Sequence, residues 1–458
     1  MTETKPLNVL VMAAGLGTRM KSRRAKVLHE LGGRPLIAHV VRTAQTLDPK
    51  TILVIVGHQA EEVEQAVLAE IGELASFAIQ AQQRGTGDAV ESARKQLENS
   101  DSLVLLLSGD VPMIRADTLR NLIEHHRQTS AACTILGVRL ENPTGYGRII
   151  RDDQDRFQRI VEQKDASEDE RKLREINSGI YCFESADLFE ALQRIEPKNQ
   201  QGEYYLTDVA EILNTGGRKV EVVMHTEARE VSGINTRAEL AEFENLLRRN
   251  AIRRLMTEVG VTFIDPSHAY VSPEAEIGRD TVIYPDVAIE GKTVIGESCV
   301  IRSGARISNS KLGDKVTVKD HSIIVDSEIG SNCSVGPFAH LRMNATLEEK
   351  ATVGNFVEVK KSRLKRGAKA MHLTYLGDAT IGERTNIGAG TVTCNYDGVR
   401  KHETIIEDDV RIGSDTMLVA PVRVGSRSVT GAGSVVTKDV PPDSLVAGVP
   451  AEVKKKLN

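Results

Sequence analysis

The chain has 458 residues, which allows two or three domains of ordinary size. Its net charge is −5, only 3% of its residues are aromatic and it has no tryptophan, so we expect no nucleic-acid partner. The N-terminus has no apolar signal core, and no stretch approaches the ~18 consecutive apolar residues of a membrane span. Five scattered cysteines without a CxxC pair are typical of reduced thiols, so we expect a cytoplasmic protein without a membrane partner.

The first half of the chain alternates short apolar runs with helical stretches. The runs are rich in Leu, Ile and Val, as are parallel strands that are covered on both faces. This pattern indicates an α/β sheet domain over residues 1–236. The predicted strands are Leu7 to Met12, Thr51 to Val56, Leu103 to Leu107 and Thr134 to Val138, and the predicted helices are Ala60 to Ala69 and Ala116 to His126.

A glycine-containing loop, AAGLGTRM at residues 13–20, follows the first predicted strand. Glycines at a strand-to-helix turn let backbone N–H groups approach a phosphate, and Arg19 adds a fixed positive charge. The loop is not a full dinucleotide fingerprint, because Met20 replaces the third glycine, and it is not a Walker loop, because no GK[ST] follows. A tight structural turn therefore remains an alternative to a phosphate site.

Asp110 closes a predicted strand in the sequence LLLSGDVP. Ligands bind beyond the carboxyl ends of strands in open parallel sheets. A carboxylate at that place suits Mg²⁺, which takes oxygen ligands and bridges phosphates. The alternative role for this aspartate is a helix N-cap.

Residues 237–259 contain no Gly or Pro and predict a helical linker, and from Gly260 onward aliphatic residues recur every six positions. A period of six fits neither the turn of an α-helix nor the heptad of a coiled coil. It predicts strands that wind around a prism and place one aliphatic residue inside each face, which is a parallel β-helix over residues 260–458. The predicted inward residues are Ile277, Ile283, Ile289, Ile295, Ile301 and Ile307; Ile329, Val335, Leu341, Leu347, Val353 and Val359; and Ile406, Ile412, Leu418, Val424, Thr430 and Val436.

The six-residue period is interrupted twice. Between Val359 and Ile381 it falls on Lys365 and Met371, which predicts a disturbed coil there. Near residues 394–404 the register slips by one position before Ile406. Loops that leave a solenoid often carry function, although a harmless insertion is the alternative.

An ordered series of motifs in the first half resembles the sugar-1-phosphate nucleotidyltransferases, which implies a Rossmann-like domain. With the β-helix attached, the whole chain resembles the bacterial bifunctional N-acetylglucosamine-1-phosphate uridylyltransferase/glucosamine-1-phosphate N-acetyltransferases. The motifs are AAGLGTRM, Lys26 in AKVLH, Gln80 to Ala89, GDVP at 109–112, PTGYGR at 143–148, VEQKDA at 161–166, EINSGI at 175–180 and QGEYYLTD at 201–208.

The resemblance implies roles for individual residues of the first half. Arg19 and Lys26 would act on the phosphates, and Asp110 and Asn235 would bind Mg²⁺. Positioning and charge neutralisation then suffice for uridylyl transfer, because the attacking phosphate is already ionised at neutral pH. Two departures from the family pattern are Ala25, where a proline is common, and Ser108, where a tyrosine is common. The residues implied to surround UTP and the product UDP-N-acetylglucosamine are Ala13, Ala14, Gly15, Lys26, Gln80, Gly85, Thr86, Gly147, Glu162, Asn177 and Asn235.

His372 lies in AMHLTYLG, within the first interruption. An ordinary histidine titrates near pH ~6.5 and can accept a proton at physiological pH, a step that acetyl transfer to an amine requires. A buried, hydrogen-bonded histidine is the alternative interpretation. Basic residues from Arg342 to Lys369 form either a solvated face or a site for phosphates. A zinc site at His321, His340 and His372 is disfavoured because their spacing is wide.

The sequences GPFAHLRMNA, VGNFVEVKKSRLK, HLTYLGDA, NIGAGTVTCNYDG and IGSDT resemble the acetyltransferase half of the same family. The resemblance implies that His372 is the general base, that Glu358 orients or polarises it, and that the coil is left-handed and forms a homotrimer with active sites between subunits. No C-terminal arginine stands near the coenzyme position, where Lys454 to Lys456 are the candidates to replace it. The implied glucosamine 1-phosphate ligands are Arg342, Lys360, Tyr375 and Asn386, and the implied acetyl-CoA ligands are Ala389, Asn395, Tyr396, Ser414 and Ala432.

The leading hypothesis is therefore a two-site enzyme that acetylates glucosamine 1-phosphate and then uridylylates the product. A second hypothesis keeps only the nucleotidyl transfer and uses the β-helix for assembly or regulation, as in ADP-glucose pyrophosphorylases. A third is a non-catalytic scaffold, like some translation-factor exchange subunits. His372, Lys360 and the NYDG sequence argue against the second hypothesis, and the glycine loop with Asp110 argues against the third.

Overall fold

The protein is described by a computed structural model that covers residues 5–98 and 101–456. The chain divides into two compact units, one ending at Phe243 and the other beginning at Glu244. This boundary lies inside a helix at Arg237–Arg254, which continues as a π-helical turn at Leu255–Val259. The predicted division into residues 1–236, 237–259 and 260–458 stays a prediction. Within the described residues, no helix is long and apolar enough to cross a membrane.

The N-terminal unit is built on a mixed sheet with helices between its strands. We label its strands β1 to β9, and their order across the sheet is β9-β5-β8-β4-β1-β2-β3, with β6 and β7 paired beside β8. The strands are β1 Leu7–Met12, β2 Thr51–Val56, β3 Ala75–Ile79, β4 Leu103–Ser108, β5 Cys133–Arg139, β6 Arg148–Arg151, β7 Phe157–Val161, β8 Glu175–Glu184 and β9 Val220–His225. The helices are Leu36–Gln45, Ala60–Ile71, Thr86–Glu91, Arg94–Leu97, Ala116–Thr129, Glu168–Arg171, Ser185–Leu192 and Thr207–Thr215.

The four predicted strands of this unit are confirmed, but the sheet is not wholly parallel. Strand β8 runs antiparallel to both β4 and β5, whereas β1 runs parallel to β2 and β4. Strands β1 and β4 end side by side, because Met12 is in register with Ser108 and the Gly109 N–H donates to the Met12 carbonyl (2.9 Å). The glycine loop and the loop that carries Asp110 therefore leave the same edge of the sheet.

His126 gives the stability of this unit a pH dependence. It is buried on the helix Ala116–Thr129, its Nδ1 contacts Thr134 Oγ1 (2.8 Å), and burial, followed by the charge of Arg127, lowers its pKa to about 4. In the unfolded chain this histidine binds a proton near pH ~6.5, whereas in the folded chain it stays neutral down to about pH 4. The free energy of unfolding therefore has its full value above about pH 6.5 and decreases as the pH falls towards 4.

We expect the free energy of unfolding of this unit to fall by about 2 kcal/mol between pH 7.5 and 5 on account of this one side chain. Urea unfolding of the N-terminal unit at several pH values measures the fall. His126→Gln, which carries no titratable group, should show a flatter dependence over the same range. A variant whose pH dependence equals that of the parent would contradict the assignment.

The C-terminal unit is a parallel β-helix whose coils stack three faces. The inward residues that fit the six-residue period are all buried, from Ile277 to Val436, and all of them except Thr430 belong to one continuous apolar core. Each buried aliphatic side chain stabilises the coil by about 1.5–3 kcal/mol, which explains why the six-residue period is so regular. The coil begins with the strand Thr262–Phe263, which pairs with Val282–Ile283 of the next turn.

The strands of each face pair in parallel with those of the neighbouring coils. The first face contains Thr262–Phe263, Val282–Ile283, Val300–Ile301, Thr317–Val318, Ser334–Val335 and Asn386–Ile387. The second face contains Ala269–Val271, Val287–Glu290, Arg306–Ser308, Ile323–Val325, His340–Arg342, Val392–Cys394, Met417–Val419 and Val435–Val436. The third face contains Glu276–Ile277, Val294–Ile295, Lys311–Leu312, Glu328–Ile329, Thr346–Leu347, Arg363–Leu364, Ala379–Ile381, Thr404–Ile406 and Val422–Val424. A terminal sheet contains Val429–Thr430, Ser444–Ala447 and Glu452–Lys456.

The prediction of a disturbed coil at Lys365 and Met371 is wrong. The strands Thr352–Lys360 and Lys369–Gly377 run in register through the first and second faces. The inward residues are Leu364 and Ala370, one position earlier than predicted, and both are fully buried. The third face is one residue shorter here, so the inward residues Val359 and Leu364 lie closer in sequence than the six-residue period predicts, and the coil continues without interruption.

The second interruption is confirmed as a loop that leaves the coil. Thr393 is the last inward residue before it and Ile406 is the next, whereas Val399 between them is 82% exposed. The loop at residues 395–403 is closed by a bridge between Tyr396 and Lys401.

Candidate functional site

The glycine loop of the N-terminal unit leaves open space above Gly15, where an added Cβ would meet no atom within 4 Å. Gly17 is constrained differently: its φ is 61°, and an added Cβ would lie 2.5 Å from Cβ of Lys26. Ala14 is fixed by its carbonyl, which accepts a hydrogen bond from Gln83 Nε2 (2.6 Å). The loop therefore has a fixed backbone and one side that is open at Gly15. The hydrogen bond from Gln83 that fixes Ala14 was not predicted from the sequence.

Four residues with predicted roles on phosphates and metal meet at the carboxyl edge of the sheet. Lys26 Nζ contacts Asp110 Oδ2 and donates to Asn235 Oδ1 (3.2 Å), and Arg19 donates to the same Asn235 oxygen (2.7 Å). The Lys26 and Asp110 side chains are mostly buried. Glu239 fixes Asn235 by accepting from its backbone N–H (2.6 Å). The structure thus gathers residues separated by more than 200 positions into one charged cluster.

The oxygen donors of this cluster fit Mg²⁺. Asp110 and Asn235 both direct an oxygen at the Lys26 ammonium, so these two oxygens already lie next to a positively charged group. No group of three His, Cys, Asp or Glu side chains is arranged for a metal anywhere in residues 5–98 and 101–456. Mg²⁺ is commonly bound through one or two protein oxygens, with water and substrate phosphates completing its shell. The alternative N-cap role for Asp110 is not adopted, because the following helix begins at Ala116 with Arg115 as its N-cap.

The predicted nucleotide residues Gln80, Gly85 and Thr86 form a second part of the site. Gln80 is buried, and its amide donates to the Gly85 carbonyl (3.1 Å) and to Asp88 (3.0 Å). Gly85 has a φ of 119°, and an added Cβ would lie 2.5 Å from the carbonyl oxygen of Tyr204. The backbone of Tyr204 thus holds this loop, and no motif in the sequence had indicated that contact.

The three residues with a predicted sugar-binding role also lie together. The Asn177 N–H donates to the Gly147 carbonyl (2.9 Å), and an added Cβ on Gly147 would lie 3.3 Å from the Glu162 carboxylate. Burial raises the pKa of Glu162, against a hydrogen bond that its carboxylate accepts from Thr207 Oγ1 (3.3 Å). Asn177 is held by Tyr181, whose hydroxyl accepts from its amide (2.6 Å). Beside them is a cavity of about 300 Å³, whose acidic lining residues are Glu162, Asp165, Glu196, Asp208 and Glu211.

In the C-terminal unit, His372 is exposed on the strand Lys369–Gly377, and its Nδ1 contacts Asn355 Oδ1 (2.6 Å). The two residues are register partners on neighbouring coils. Glu358, which the resemblance assigned to orient His372, is in register with Tyr375 and pairs instead with Arg342 (2.7–2.8 Å). In the described chain the side chain hydrogen-bonded to the histidine ring is therefore Asn355, and the expectation that Glu358 orients or polarises His372 stays a prediction.

Three of the predicted acetyl-CoA residues continue a column that starts at Asn355 and His372. The Gly390 N–H donates to the Leu373 carbonyl (3.0 Å), which places the coil of Ala389 next to that of His372. The same pattern continues along the coil, because Asp415 N–H donates to Ala389 (2.7 Å) and Gly433 N–H donates to Ser414 (2.8 Å). The column consists of Asn355, His372, Ala389, Ser414 and Ala432.

The predicted sugar-phosphate residues Arg342, Lys360 and Tyr375 lie on the second face. Lys360 is buried, with its Nζ 3.8 Å from Asp378 Oδ2. The same Asp378 oxygen accepts from the Asn395 amide (2.6 Å), so one carboxylate ties Lys360 to the 395–403 loop.

Two predicted ligands are placed differently from the rest. Asn386 lies on the first face, where it is in register with Lys369, and its side chain is exposed. Tyr396 is also exposed, on the loop, with its hydroxyl donating to the Gly398 carbonyl (2.6 Å). Within the described chain these two are not joined to His372 by any hydrogen bond.

Three family models match the chain. Residues 8–230 match the model described as nucleotidyl transferase, residues 262–364 match the GMPPB C-terminal domain, and residues 403–438 match bacterial transferase hexapeptide (six repeats). The expected fold class is confirmed: an α/β Rossmann-like nucleotidyltransferase unit is followed by a left-handed parallel β-helix of hexapeptide repeats.

Relatives named "Bifunctional protein GlmU" are similar to nearly the whole chain. The one from Geobacillus sp. (strain WCH70) is 46% identical over 447 residues, which are 98% of this chain and 96% of the relative. The one from Heliobacterium modesticaldum is 49% identical over 438 residues, covering 95% and 94% of the two chains. The one from Geobacter metallireducens is 47% identical over 466 residues, covering 98% and 97%.

Proposed function

The chain belongs to the family of bifunctional GlmU proteins, and from this premise we propose how its residues carry out two group transfers. It is a transferase of UDP-N-acetylglucosamine synthesis, with glucosamine-1-phosphate N-acetyltransferase and N-acetylglucosamine-1-phosphate uridylyltransferase activities. Residues 1–236 carry the uridylyl transfer and residues 260–458 carry the acetyl transfer. One observation supports this assignment: each unit has its own cluster of reactive side chains. The cluster of the N-terminal unit consists of Arg19, Lys26, Asp110 and Asn235, and that of the C-terminal unit consists of Asn355 and His372.

In uridylyl transfer, a phosphate oxygen of the sugar phosphate bonds to the α-phosphorus of UTP, and the bond to pyrophosphate breaks. No proton needs to move, so the protein's work is to align the phosphates and to neutralise their charge. Arg19 and Lys26 supply two fixed positive charges next to the open side of the glycine loop. Mg²⁺, held by Asp110 and Asn235, would neutralise charge on the phosphates.

Acetyl transfer needs a neutral amine, because an ammonium has no lone pair. His372 accepts the proton of the glucosamine amine while nitrogen bonds to the acetyl carbonyl carbon. The thioester C–S bond then breaks, an amide forms, and the coenzyme A thiolate takes up a proton. The column that continues from His372 through Ala389 to Ala432 offers a path for the extended coenzyme along the coil.

The proposed assembly is a homotrimer in the cytoplasm. An exposed apolar ridge supports the assembly: the His321, Phe338 and Phe356 rings stack along one corner of the coil, with centroids 5.1 and 5.4 Å apart. Phe356 is 56% exposed and Leu373 is 62% exposed, and burial of such a ridge against another subunit would be favourable. Five free cysteines favour a reducing compartment.

One assay tests the proposal. Purified protein is supplied with acetyl-CoA, glucosamine 1-phosphate, UTP and Mg²⁺, and free thiol and pyrophosphate are followed separately. Both products should appear, and pyrophosphate release should depend on thiol release when N-acetylglucosamine 1-phosphate is not supplied. Pyrophosphate release that is independent of acetyl-CoA under those conditions would overturn the proposed substrate.

Gly17→Ala should lower uridylyl transfer by about tenfold to a hundredfold. The added methyl group meets Lys26 Cβ and the left-handed backbone costs about 1–2 kcal/mol, so the lysine must shift away from the phosphates. Pyrophosphate release from UTP and N-acetylglucosamine 1-phosphate measures the loss. Gly33→Ala, which also has a left-handed backbone (φ 80°) but whose added Cβ meets no atom within 4 Å, is the control for folding. An unchanged rate in the Gly17 variant would show that Lys26 does not need its present position.

A further inference from the structure

The hydrogen bond between Asn355 and His372 joins two side chains that are register partners on neighbouring coils. Its 2.6 Å length, from Asn355 Oδ1 to His372 Nδ1, is that of a well-formed bond. The strands Thr352–Lys360 and Lys369–Gly377 pair in parallel before, at and after this position, with Val353 opposite Ala370 and Val357 opposite Thr374. The amide is therefore held against the imidazole by the parallel pairing on both sides of the two residues.

The chemistry of the two groups decides which ring nitrogen carries the proton. The amide oxygen of Asn355 has only lone pairs, so it can accept but cannot donate. His372 Nδ1 must then donate, which leaves the lone pair of the neutral imidazole on Nε2. The contact thus selects one tautomer and aims Nε2 away from the coil towards solvent, because the His372 side chain is exposed.

The coil positions on either side of Asn355 and His372 in the column carry no titratable side chain. The neighbouring coils present Pro337 and Ala389 at the equivalent positions of the column, and neither can titrate. The nearest acid on the same strand, Glu358, is paired with Arg342. The neutral amide therefore orients the ring without placing a negative charge beside it.

We propose that Asn355 is a positioning residue for acetyl transfer, which holds His372 in the Nε2 tautomer and orients it towards the amine. This inference rests on the proposed role of His372 as general base. Because the amide is neutral, it fixes the tautomer and the direction of the ring without the negative charge that a carboxylate would add.

The test compares Asn355→Ala and Asn355→Asp with the parent protein in the acetyl transfer assay across pH. The alanine variant should lose about 10- to 100-fold in kcat, with the KM values for acetyl-CoA and glucosamine 1-phosphate within about twofold of the parent. The aspartate variant restores an acceptor of the same size. Its kcat at high pH should return to within about threefold of the parent, and its acid limb should move up by about one pH unit, because a carboxylate stabilises the protonated imidazole.

Each outcome decides the proposal. A folded alanine variant with parental kcat overturns it, and so does an aspartate variant whose kcat at high pH is no higher than that of the alanine variant or whose pH profile is that of the parent. Circular dichroism melting and pyrophosphate release from the N-terminal site report folding, and the isosteric aspartate variant serves alone if the alanine variant does not fold. His372→Ala separates the two ideas: if it retains acetyl transfer, the proposed base is wrong, whatever Asn355 does.

Discussion

Replacing His372 with alanine is expected to lower acetyl transfer by about 10²- to 10⁴-fold and to leave uridylyl transfer at the parental rate. A positioned general base contributes a factor of this size. In the described chain, His372 is the side chain that the contact with Asn355 positions for this role. Thiol release from acetyl-CoA measures the loss, and pyrophosphate release from UTP and N-acetylglucosamine 1-phosphate measures the retained activity.

The matched control for this variant is His268→Ala. His268 is also an exposed histidine of the C-terminal unit, and its Nδ1 contacts Asp265 (2.9 Å) at the start of the coil. Its removal should leave thiol release unchanged. A His372 variant that keeps the parental thiol release while folded would refute the assignment of the base.

Replacing Asp110 with alanine is expected to produce the reverse pattern, with pyrophosphate release lowered by at least about 10²-fold and thiol release unchanged. The change removes one of the two oxygens that face Lys26 and leaves that buried ammonium without its charged partner. It therefore removes the proposed Mg²⁺ ligand and misplaces a phosphate-binding cation together. Asp110→Asn keeps the size of the side chain but not its charge, and we expect it to lose most of the activity as well.

Asp117→Ala is the control for the loss of a carboxylate near this edge. Asp117 lies in the first turn of the next helix, pairs with Arg120 and has an 88% exposed side chain. We expect its replacement to change neither transfer. If Asp110→Ala silenced both transfers in folded protein, the division of the two reactions between separate sites would be wrong.

The fold could be predicted in outline because both units have strong one-dimensional patterns. The buried strands around Leu7 and Leu103 are nearly continuous apolar runs, and the coil repeats an inward aliphatic residue once per face. These patterns did not predict how the strands pair with one another in the sheet. Antiparallel pairing of Glu175–Glu184 beside parallel strands leaves no signature in its own residues, since every strand of a covered sheet buries the same kinds of side chain.

The contraction of the coil after Val359 shows the same limit. A count in sixes placed Lys365 inside, whereas Leu364 is the buried residue, because the third face takes one residue fewer there. The nearby apolar leucine was the signal that could have corrected the register, since burial of an unpaired lysine ammonium is costly.

The charged cluster of the N-terminal unit illustrates how motifs anticipate a site. Lys26, Asp110 and Asn235 were selected by motifs that lie far apart in the chain, and the structure brings them into contact. Gln83 and Tyr204 lie inside two of these motifs, but their contacts with Ala14 and Gly85 were not anticipated, because such contacts depend on how distant loops fold against each other.

The sequence by itself determined the two kinds of architecture, the glycine loop after the first strand, the acid at the strand end and the histidine on the coil, because each depends on local residue type and spacing. Only the tertiary structure decided which side chain orients that histidine. Asn355 and Glu358 lie three positions apart on one strand and both carry an oxygen, so composition cannot separate them. The pairing of neighbouring coils places Asn355 opposite His372 and Glu358 opposite Tyr375, and this register is a property of the folded coil.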